Sequence, residues 1–283
     1  MNLTDEGSLF WRAARSVVDG DLESLRRLLR EEPGLVSMVS PDDFQATLLH
    51  FVAANGVRDD YQRSPANAPQ VAECLLDAGA EPDAFAGSYG GGSHQTPLCL
   101  LVTSWWPHGR GVQVELVRAL IQGGAKVDGV EGDAAPLASA LLFGYTRAAE
   151  ALVAEGARAN GAFFAAGLGD LVGLQRALEQ DTLEGLLGGY VPVLEVPRPC
   201  SKGAVIQEAF HFAVTHGRLE VMEWLLRQGA SVNGATQGHH CELPAVQALF
   251  VGERSVFDWL CQRGADLDLV DRKRGQCARD VLG

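Results

Sequence analysis

The stretch FHFAVTHGRLEVMEWLLRQGASVN, residues 210–233, contains the pattern that decides the fold. Apolar residues recur at helical spacing on both sides of Gly217, which predicts two short helices joined by a tight turn. Gly229 follows the second helix, where a glycine can adopt the left-handed conformation that ends many helices. Each helix has one apolar face that a single pair cannot bury. The pair therefore needs similar pairs on either side.

Such pairs recur along the chain, each marked by a Gly-Ala dipeptide after a leucine-rich helix and before a short segment ending near Asp or Asn. The copies are Gly79-Ala80, Gly124-Ala125, Gly156-Ala157, Gly229-Ala230 and Gly264-Ala265. A repeating period is a better guide to organisation than chain length, because each unit of an array contacts mainly its neighbours. We therefore predict about seven helix-turn-helix units stacked as one continuous array.

Short motifs within the units identify the array. Thr96-Pro97-Leu98 and Thr47-Leu48-Leu49-His50 open units, and Gly-Ala-x-Val-Asn or Gly-Ala-Asp-Leu-Asp close them. Together they resemble the ankyrin repeat of about 33 residues, and the resemblance extends over nearly the whole chain. It implies an all-α solenoid with short hairpin fingers, in which His50 ties neighbouring fingers together by hydrogen bonds. It also implies that a partner binds on the concave face.

One junction departs from this pattern. Gly156 and Gly169 are 13 residues apart, whereas the corresponding glycines of the family pattern are about 21 apart, so a finger is missing between units four and five. The sequence that follows echoes the N-terminal unit, with Gly-Asp-Leu at both turns. We predict two ankyrin half-arrays: residues 8–160 with units one to four, and residues 161–283 with units five to seven and a C-terminal half-cap.

Three segments are irregular. The finger 84–95 is rich in glycine but lacks the spacing of a nucleotide-binding loop, and we expect a mobile tip. In the turn 104–111, adjacent residues cannot both face one side of a helix, so we expect one of Trp105 and Trp106 to pack inward and the other to lie at the surface. The exposed ring is either a local plug or a binding anchor. The segment 184–203 has three prolines and alternating valines, which favour an extended chain lying across the array.

Composition limits the partners and the compartment. The net charge of −13 repels phosphates, so we expect no nucleic acid and no membrane partner. No apolar run is long enough to span a bilayer and the acidic N-terminus is unlike an export signal, which predicts a cytoplasmic protein. The six cysteines lack metal-site spacing and are expected to be free thiols. Lysine supplies only Lys126, Lys202 and Lys273 among 23 basic residues, a bias that we attribute to a GC-rich bacterial genome.

Candidate binding residues follow from the family resemblance, which implies contacts from the finger tips and from the two residues before each first-helix turn glycine. At units four, five and seven these residues are apolar, and exposed apolar clusters mark binding sites. The candidates, completed by the two tryptophans and a histidine near a turn, are Leu142, Phe143, Leu168, His216, Phe250, Trp105 and Trp106. We expect the partner to dock at the seam formed by Leu142, Phe143 and Leu168. The alternative is that the segment 184–203 covers these residues.

The sequence contains only weak matches to motifs for catalysis or metal binding. The contiguous run His239-His240-Cys241-Glu242 is a poor metal site, because zinc ligands are usually spaced by two or more residues, and we expect a surface loop. No serine-hydrolase elbow, no zinc-protease motif and no paired carboxylates are evident. His216 and His108 lie near turns where an imidazole could act as acid or base. We predict no catalytic residue, no metal and no cofactor.

Two functions remain open at this point. The first is a non-enzymatic recognition scaffold that binds a protein segment on its concave face, acting as a monomer. The second is a small-molecule binding protein or enzyme built on an ankyrin frame, with a pocket on the concave face near the seam between units four and five. Fold alone does not decide between them.

Overall fold

The computed structural model describes residues 7–188, 199–236 and 241–283. Their contacts divide into two compact units, each larger than the single helix-turn-helix repeats of the sequence analysis. From here on, the first unit and the second unit are these two parts of the chain. The first unit comprises the described residues up to Ser139 together with Glu150–Ala157, and the second comprises Ala140–Ala149 together with the described residues from Arg158 onward. Each unit consists mostly of helices arranged as pairs joined by tight turns. The predicted all-α repeat fold is confirmed, whereas the predicted boundaries of the half-arrays, 8–160 and 161–283, stay a prediction.

The first unit contains three complete helix pairs. The residues of the fourth pair are divided between the two units. Its helices are α1 (Leu9–Asp19), α2 (Leu22–Glu31), α3 (Leu48–Ala53), α4 (Ala68–Asp77), α5 (Pro97–Leu101), α6 (Trp105–Arg110), α7 (Gln113–Gln122), α8 (Ala135–Leu142) and α9 (Thr146–Ala154). The first helices pack side by side, α1 on α3 and α3 on α5, and the second helices do the same, α2 on α4 and α4 on α7. The apolar faces are thereby buried between successive pairs.

The second unit repeats this arrangement. Its further elements are α10 (Ala162–Leu168), α11 (Leu171–Leu178), α12 (Leu183–Leu187), α13 (Lys202–Thr215), α14 (Leu219–Arg227), α15 (Pro244–Phe250), α16 (Arg254–Gln262), the antiparallel strands β1 (Val270–Asp271) and β2 (Gln276–Cys277), and α17 (Ala278–Leu282). The first helices again form one row, because α10 packs on α13, α13 on α15 and α15 on α17. Residues 155–161 link α9 to α10 directly, at the junction where the sequence lacks a finger.

Two of the turns within helix pairs are closed by the same arrangement, a glycine followed by an aspartate N-cap. Gly20 adopts a left-handed conformation, with φ 74°, and Asp21 then accepts a hydrogen bond from the backbone N–H of Ser24 at 3.0 Å. Asp170 accepts the equivalent bond from Gly173 at 2.9 Å. The Gly-Asp-Leu echo in the sequence therefore corresponds to two aspartate N-caps at equivalent turns.

Removal of one N-cap gives a simple check of this assignment. Asp21→Ala is expected to lower the free energy of unfolding by about 1 kcal/mol, because a first-turn N–H of α2 loses its side-chain acceptor. Urea denaturation would measure the loss, with Asp43→Ala as the control, since Asp43 is an exposed aspartate that caps no helix. Equal losses in the two variants would contradict the capping role.

The fingers of the first unit are joined by the histidine that the sequence singled out. His50 Nδ1 accepts from the Thr47 backbone N–H at 3.1 Å, and His50 Nε2 donates to the Gln95 carbonyl at 3.0 Å. Burial lowers the pKa of His50 to about 4, which keeps the ring neutral, as this donor and acceptor pattern requires. The structural role expected for His50 is confirmed.

The segment predicted to be extended over residues 184–203 is helical where it begins. Thr182 caps α12 by accepting from the Gly185 N–H at 3.1 Å, and Ser201 caps α13 by accepting from the Ala204 N–H at 3.2 Å. The local capping residues outweigh the extended pattern at both ends, and that part of the prediction was wrong. Residues 189–198 lie outside the described part of the chain.

In the part of the chain that the structure describes, no helix is both long and apolar enough to cross a bilayer.

Candidate functional site

Tyr89 is an exposed ring on an unusual backbone in the first unit. It lies in the 3-10 turn Ser88–Gly90, inside the finger between α4 and α5. Its side chain is 70% exposed, and its φ of 49° places a bulky residue in the left-handed region, where such residues are rare. The Tyr89 hydroxyl donates to Asn55 Oδ1 at 3.0 Å. One hydrogen bond thus fixes an exposed ring that stands on a strained backbone.

The finger that carries Tyr89 is anchored at its base. Gly87 donates its backbone N–H to the Phe44 carbonyl at 2.6 Å, and the Ser88 hydroxyl donates to the Gly56 carbonyl. The sequence predicted only a mobile, glycine-rich tip. In the structure the finger is bonded to the preceding finger and to the turn that follows α3.

Asn55 connects this finger to the end of α5. Its Nδ2 donates to Thr103 Oγ1 at 2.8 Å, and its Oδ1 accepts from the Gly56 backbone N–H at 2.9 Å as well as from Tyr89. Both Asn55 and Thr103 occupy the pre-turn positions that the family resemblance assigned to partner contacts. Both the side-chain nitrogen and the side-chain oxygen of Asn55 are hydrogen-bonded, so the orientation of its amide group is fixed.

Trp105 and Trp106 open α6, directly after Ser104. Both side chains are exposed, 65% and 45% respectively, so the expectation that one ring packs inward was wrong. The physical reason is that Pro107 is the residue of α6 that turns inward and is buried. The Trp105 ring rests on the last turn of its own helix, with the His108 ring centroid 5.7 Å away.

These residues form one exposed feature, which we call the aromatic surface: Tyr89, Trp105 and Trp106, with Asn55 and Thr103 between the finger and α6. The Ser104 hydroxyl donates to the Ala54 carbonyl at 3.3 Å, which holds the start of α6 against the residue next to Asn55. Tyr89 was missed by the sequence analysis. Its only signal was a large aromatic residue within a run of glycines.

The seam residues in the second unit are less accessible than expected. Leu142 is 7% exposed, and Phe143 and Leu168 are half-buried. The expectation that Leu142 is solvent-exposed was therefore wrong, because it packs beside side chains of α13 such as Phe212. Leu142 faces a small cavity that it shares with Leu141, Phe212 and polar residues of α13 and α15. Whether these residues bind a partner stays a prediction.

His216 is buried by a hydrogen-bond network rather than presented to solvent. The ring is 4% exposed, Nε2 lies 2.8 Å from the Leu141 carbonyl oxygen, and Nδ1 lies 2.7 Å from Thr146 Oγ1. Since a carbonyl can only accept, Nε2 carries the proton and Nδ1 accepts from the threonine hydroxyl. The bonds assign His216 a structural role in tying α13 to α8.

Gly167 makes room for this contact. A Cβ atom at Gly167 would lie 2.9 Å from the Leu141 side chain and 3.3 Å from the His216 ring. Both distances are shorter than ordinary contacts between carbon atoms. The glycine of α10 therefore lets the imidazole of α13 reach a carbonyl of α8.

His211, on the same helix, is the opposite case. It is also 4% exposed, but neither ring nitrogen has a hydrogen-bond partner. Glu208 occupies the position that Thr47 holds relative to His50, but it lies within α13 rather than at a helix start, so the threonine cap is lost. Burial lowers the pKa of His211 to about 4, partly offset by the negative charge of Asp271. The ring is therefore neutral at physiological pH.

The cavity beside His211 is small. Its volume is about 10 Å³, and the polar residues that line it are Glu208, His211, Thr215 and Gln247. The Gln247 amide lies next to the imidazole, outside hydrogen-bond geometry, and its Oε1 has no partner either. This volume is enough for about one water molecule.

Phe250 is 46% exposed, as predicted for a residue before the last turn glycine. The guanidinium of Arg274 lies 3.8 Å from its ring centroid. One face of the ring is thereby covered by the protein's own C-terminal hairpin.

A second hollow lies on the first unit, between α2 and α4. It is a shallow groove of about 510 Å³ with Leu22, Leu29 and Pro33 among its apolar lining residues. Arg26 and Arg30 lie on α2, and Glu73 and Asp77 lie on α4. None of the predicted site residues lines this groove.

A metal site requires several ligand side chains close together, and two buried thiols of the described residues have shifted pKa values. No group of three His, Cys, Asp or Glu side chains in residues 7–188, 199–236 and 241–283 could hold a metal ion. His239 and His240 lie outside the described ranges. Burial raises the pKa of the Cys99 thiol to about 12 and that of the Cys241 thiol above its ordinary value, so neither is a thiolate at neutral pH.

Comparison with known proteins gave a family match and similar solved structures. Residues 206–234, which span most of α13, all of α14 and the turn after it, match the family model of the ankyrin repeat. Among solved structures, the human ASB11 ankyrin repeat domain is similar at 20% sequence identity, over 95% of this chain and 90% of that chain, with a TM-score of 0.44. No curated protein sequence matches this chain.

The family match and the recurring helix pairs define the class at the level of the fold: residues 206–234 match an ankyrin repeat, within a fold built of similar helix pairs. Ankyrin repeats serve in general as scaffolds for protein–protein interaction, using the extended surface that stacked repeats create.

Proposed function

We propose that this protein is a recognition scaffold that binds a segment of another protein at the aromatic surface, on the concave side of the first unit. The observation that carries the proposal is the exposure of Tyr89, Trp105 and Trp106 at a place where the backbone and the amide of Asn55 hold the tyrosine ring. Tyrosine and tryptophan are the residues that most often dominate binding energy at interfaces.

The position of the surface also supports the proposal. Asn55 and Thr103 are pre-turn residues of successive first helices, and α3 packs directly on α5. A chain running along the row of first helices would pass from one to the other and meet the rings at its edge. Contiguous exposed apolar patches on a protein surface often mark interaction sites.

A protein segment fits better than a small molecule at the predicted seam. The cavity beside Leu142 has room for about one water, whereas metabolite sites occupy about 300–1,000 Å³. We propose that the partner is a protein, that the scaffold acts as a monomer without catalysing a reaction, and that it works in the cytoplasm. The six cysteines, all unpaired, support a reducing compartment.

A peptide-display selection against the full-length protein would test this function. Peptides recovered from an unbiased library are expected to bind the double variant Trp105→Ala/Trp106→Ala at least about tenfold more weakly than the wild type, since tryptophan hot spots each contribute at least that much. Titration followed by anisotropy of labelled peptides would measure the affinity. Val172→Ala is the control, because Val172 is 63% exposed in the second unit.

The outcome separates the aromatic surface from the seam. Selected peptides that bind the tryptophan variant as tightly as the wild type would contradict the proposal. If the same peptides lose affinity for Phe143→Ala or Phe250→Ala instead, the binding site is the one that the sequence analysis placed in the second unit.

A further inference from the structure

We propose that the segment bound at the aromatic surface is basic: its arginine or lysine side chains stack on Tyr89, Trp105 and Trp106 and pair with carboxylates of the neighbouring fingers. This inference rests on the proposed function and specifies the chemistry of the partner. Two independent features of the first unit support it, the uncovered aromatic rings and the sign of the charge on the fingers.

The first feature is a contrast between aromatic residues within this protein. Arg263 lies 3.7 Å from the ring centroid of Trp259, and Arg274 lies 3.8 Å from that of Phe250. These distances are well inside the range of about 6 Å for cation–π attraction. The protein thus covers two of its partly exposed rings with its own guanidinium groups.

The rings of the aromatic surface have no such cover. Among the described residues, no arginine or lysine lies over Tyr89, Trp105 or Trp106. Arg110, on the same helix as the tryptophans, donates its Nε–H to the Ser64 carbonyl at 3.0 Å instead. The exposed parts of these electron-rich rings are therefore available to a cation from another molecule.

The second feature is the charge of the first-unit fingers, residues 38–47, 79–96 and 124–134. Lys126 is the single lysine or arginine in these ranges. Their acidic residues are Asp42, Asp43, Glu81, Asp83, Asp128, Glu131 and Asp133. A basic segment is the partner whose charge complements this row, and complementary charge favours both encounter and register.

Hydrogen bonds join the fingers into one row around Tyr89. Gly87, two residues before Tyr89, bonds to Phe44 of the preceding finger at 2.6 Å. Asp83 accepts from the Lys126 backbone N–H of the following finger at 3.1 Å. The acidic fingers and the ring are therefore parts of one connected surface.

Two carboxylates on either side of the Tyr89 finger allow a clean test. Asp43 and Glu131 are exposed, and neither forms an ion pair in the part of the chain that the structure describes. Glu73 and Asp77, in the groove between α2 and α4, are likewise exposed and outside any ion pair among the described residues. Neutralising either pair changes the net charge equally, but only the first pair borders the aromatic surface.

The probe is a labelled peptide of six Arg-Ser repeats, compared with one of six Glu-Ser repeats, titrated into the full-length protein at about 50 mM and about 500 mM salt. We expect the arginine peptide to bind at least about tenfold more tightly than the glutamate peptide, and its affinity to fall at high salt as the charges are screened. Asp43→Asn/Glu131→Gln should weaken it by about threefold to tenfold. Glu73→Gln/Asp77→Gln should leave it within about twofold.

Three results would overturn the inference: no preference for the arginine peptide, equal effects of the two charge pairs, or binding that is unchanged in Trp105→Ala/Trp106→Ala. Equal effects would mean that an acidic protein attracts a cation without a specific site. If display-selected peptides need the tryptophans but contain no arginine or lysine, the proposed function stands and the basic partner is wrong. Circular dichroism of each variant confirms that the fold is intact.

Discussion

His216→Leu is expected to lower the free energy of unfolding by about 2–3 kcal/mol, measured by urea denaturation at pH 7.5. Leucine is close to histidine in size but offers no hydrogen bond. The Leu141 carbonyl would keep only a long bond from the Gly144 N–H, at 3.3 Å, and the Thr146 hydroxyl would lose the ring nitrogen 2.7 Å away. The loss comes from a buried carbonyl and a half-buried hydroxyl that lose the imidazole as their partner.

His211→Leu is the matched control, because it makes the same replacement five residues earlier on α13 at the same 4% exposure. Neither nitrogen of His211 is hydrogen-bonded, so its removal relieves the burial of two unpaired polar atoms. The expected change is within about 1 kcal/mol of the wild type, or a gain in stability. Equal losses in the two variants would show that packing, and not the bonds of His216, explains the effect.

Acidification from pH 7 to pH 5 is expected to destabilise the protein by about 4 kcal/mol through His50 and His211. Burial lowers the pKa of each in the folded state to about 4 from an unfolded value of 6.5. In the unfolded chain the two imidazoles therefore become protonated below pH 6.5, whereas in the folded chain they stay neutral until the pH approaches about 4. Stability is complete above pH 6.5 and falls through this window, by about 2 kcal/mol per histidine at pH 5.

Urea denaturation at half-unit steps between pH 7.5 and pH 4.5 would measure this slope. His211→Leu should remove its own share, about half of the loss between pH 6.5 and pH 5. The groups that face His211 from other elements, Asp271 and Lys273, act in opposite directions on its pKa. A free energy of unfolding that stays flat from pH 6.5 to pH 5 would contradict neutral, buried imidazoles at both positions.

The repeat pattern was sufficient to predict the fold, because its signals are local. Gly-Ala after a leucine-rich helix and Gly-Asp-Leu at a turn depend only on neighbouring residues, and both correspond to the observed helix ends. His50 was interpreted correctly for the same reason, since its Thr-x-x-His spacing places the hydroxyl and the ring on one helical turn.

The site depended on contacts that the sequence pattern does not contain. Leu142 follows the pattern of an exposed pre-turn residue, but it lines a small cavity together with Phe212 of α13 and is 7% exposed. His216 was interpreted as a possible acid or base because the glycine that admits it to the Leu141 carbonyl, Gly167, is 49 residues earlier in the chain. Tyr89 could not be predicted as a site residue, because no local sequence pattern indicates that an aromatic residue in a glycine-rich finger adopts a left-handed backbone conformation.

The restraint on the Tyr89 ring has a consequence for how long a partner would stay bound at the proposed site. A side chain that is free in solution loses rotamer entropy when a partner fixes it, and this loss weakens the complex. Here the hydroxyl bond to Asn55 and the left-handed backbone impose that restriction during folding. At the proposed site, little rotamer freedom of this ring is therefore left to be lost on binding. For interfaces of this kind the benefit appears in slower dissociation rather than faster association. Tyr89→Phe removes the bond to Asn55 but keeps an aromatic ring, so it should shorten the residence time of a bound segment.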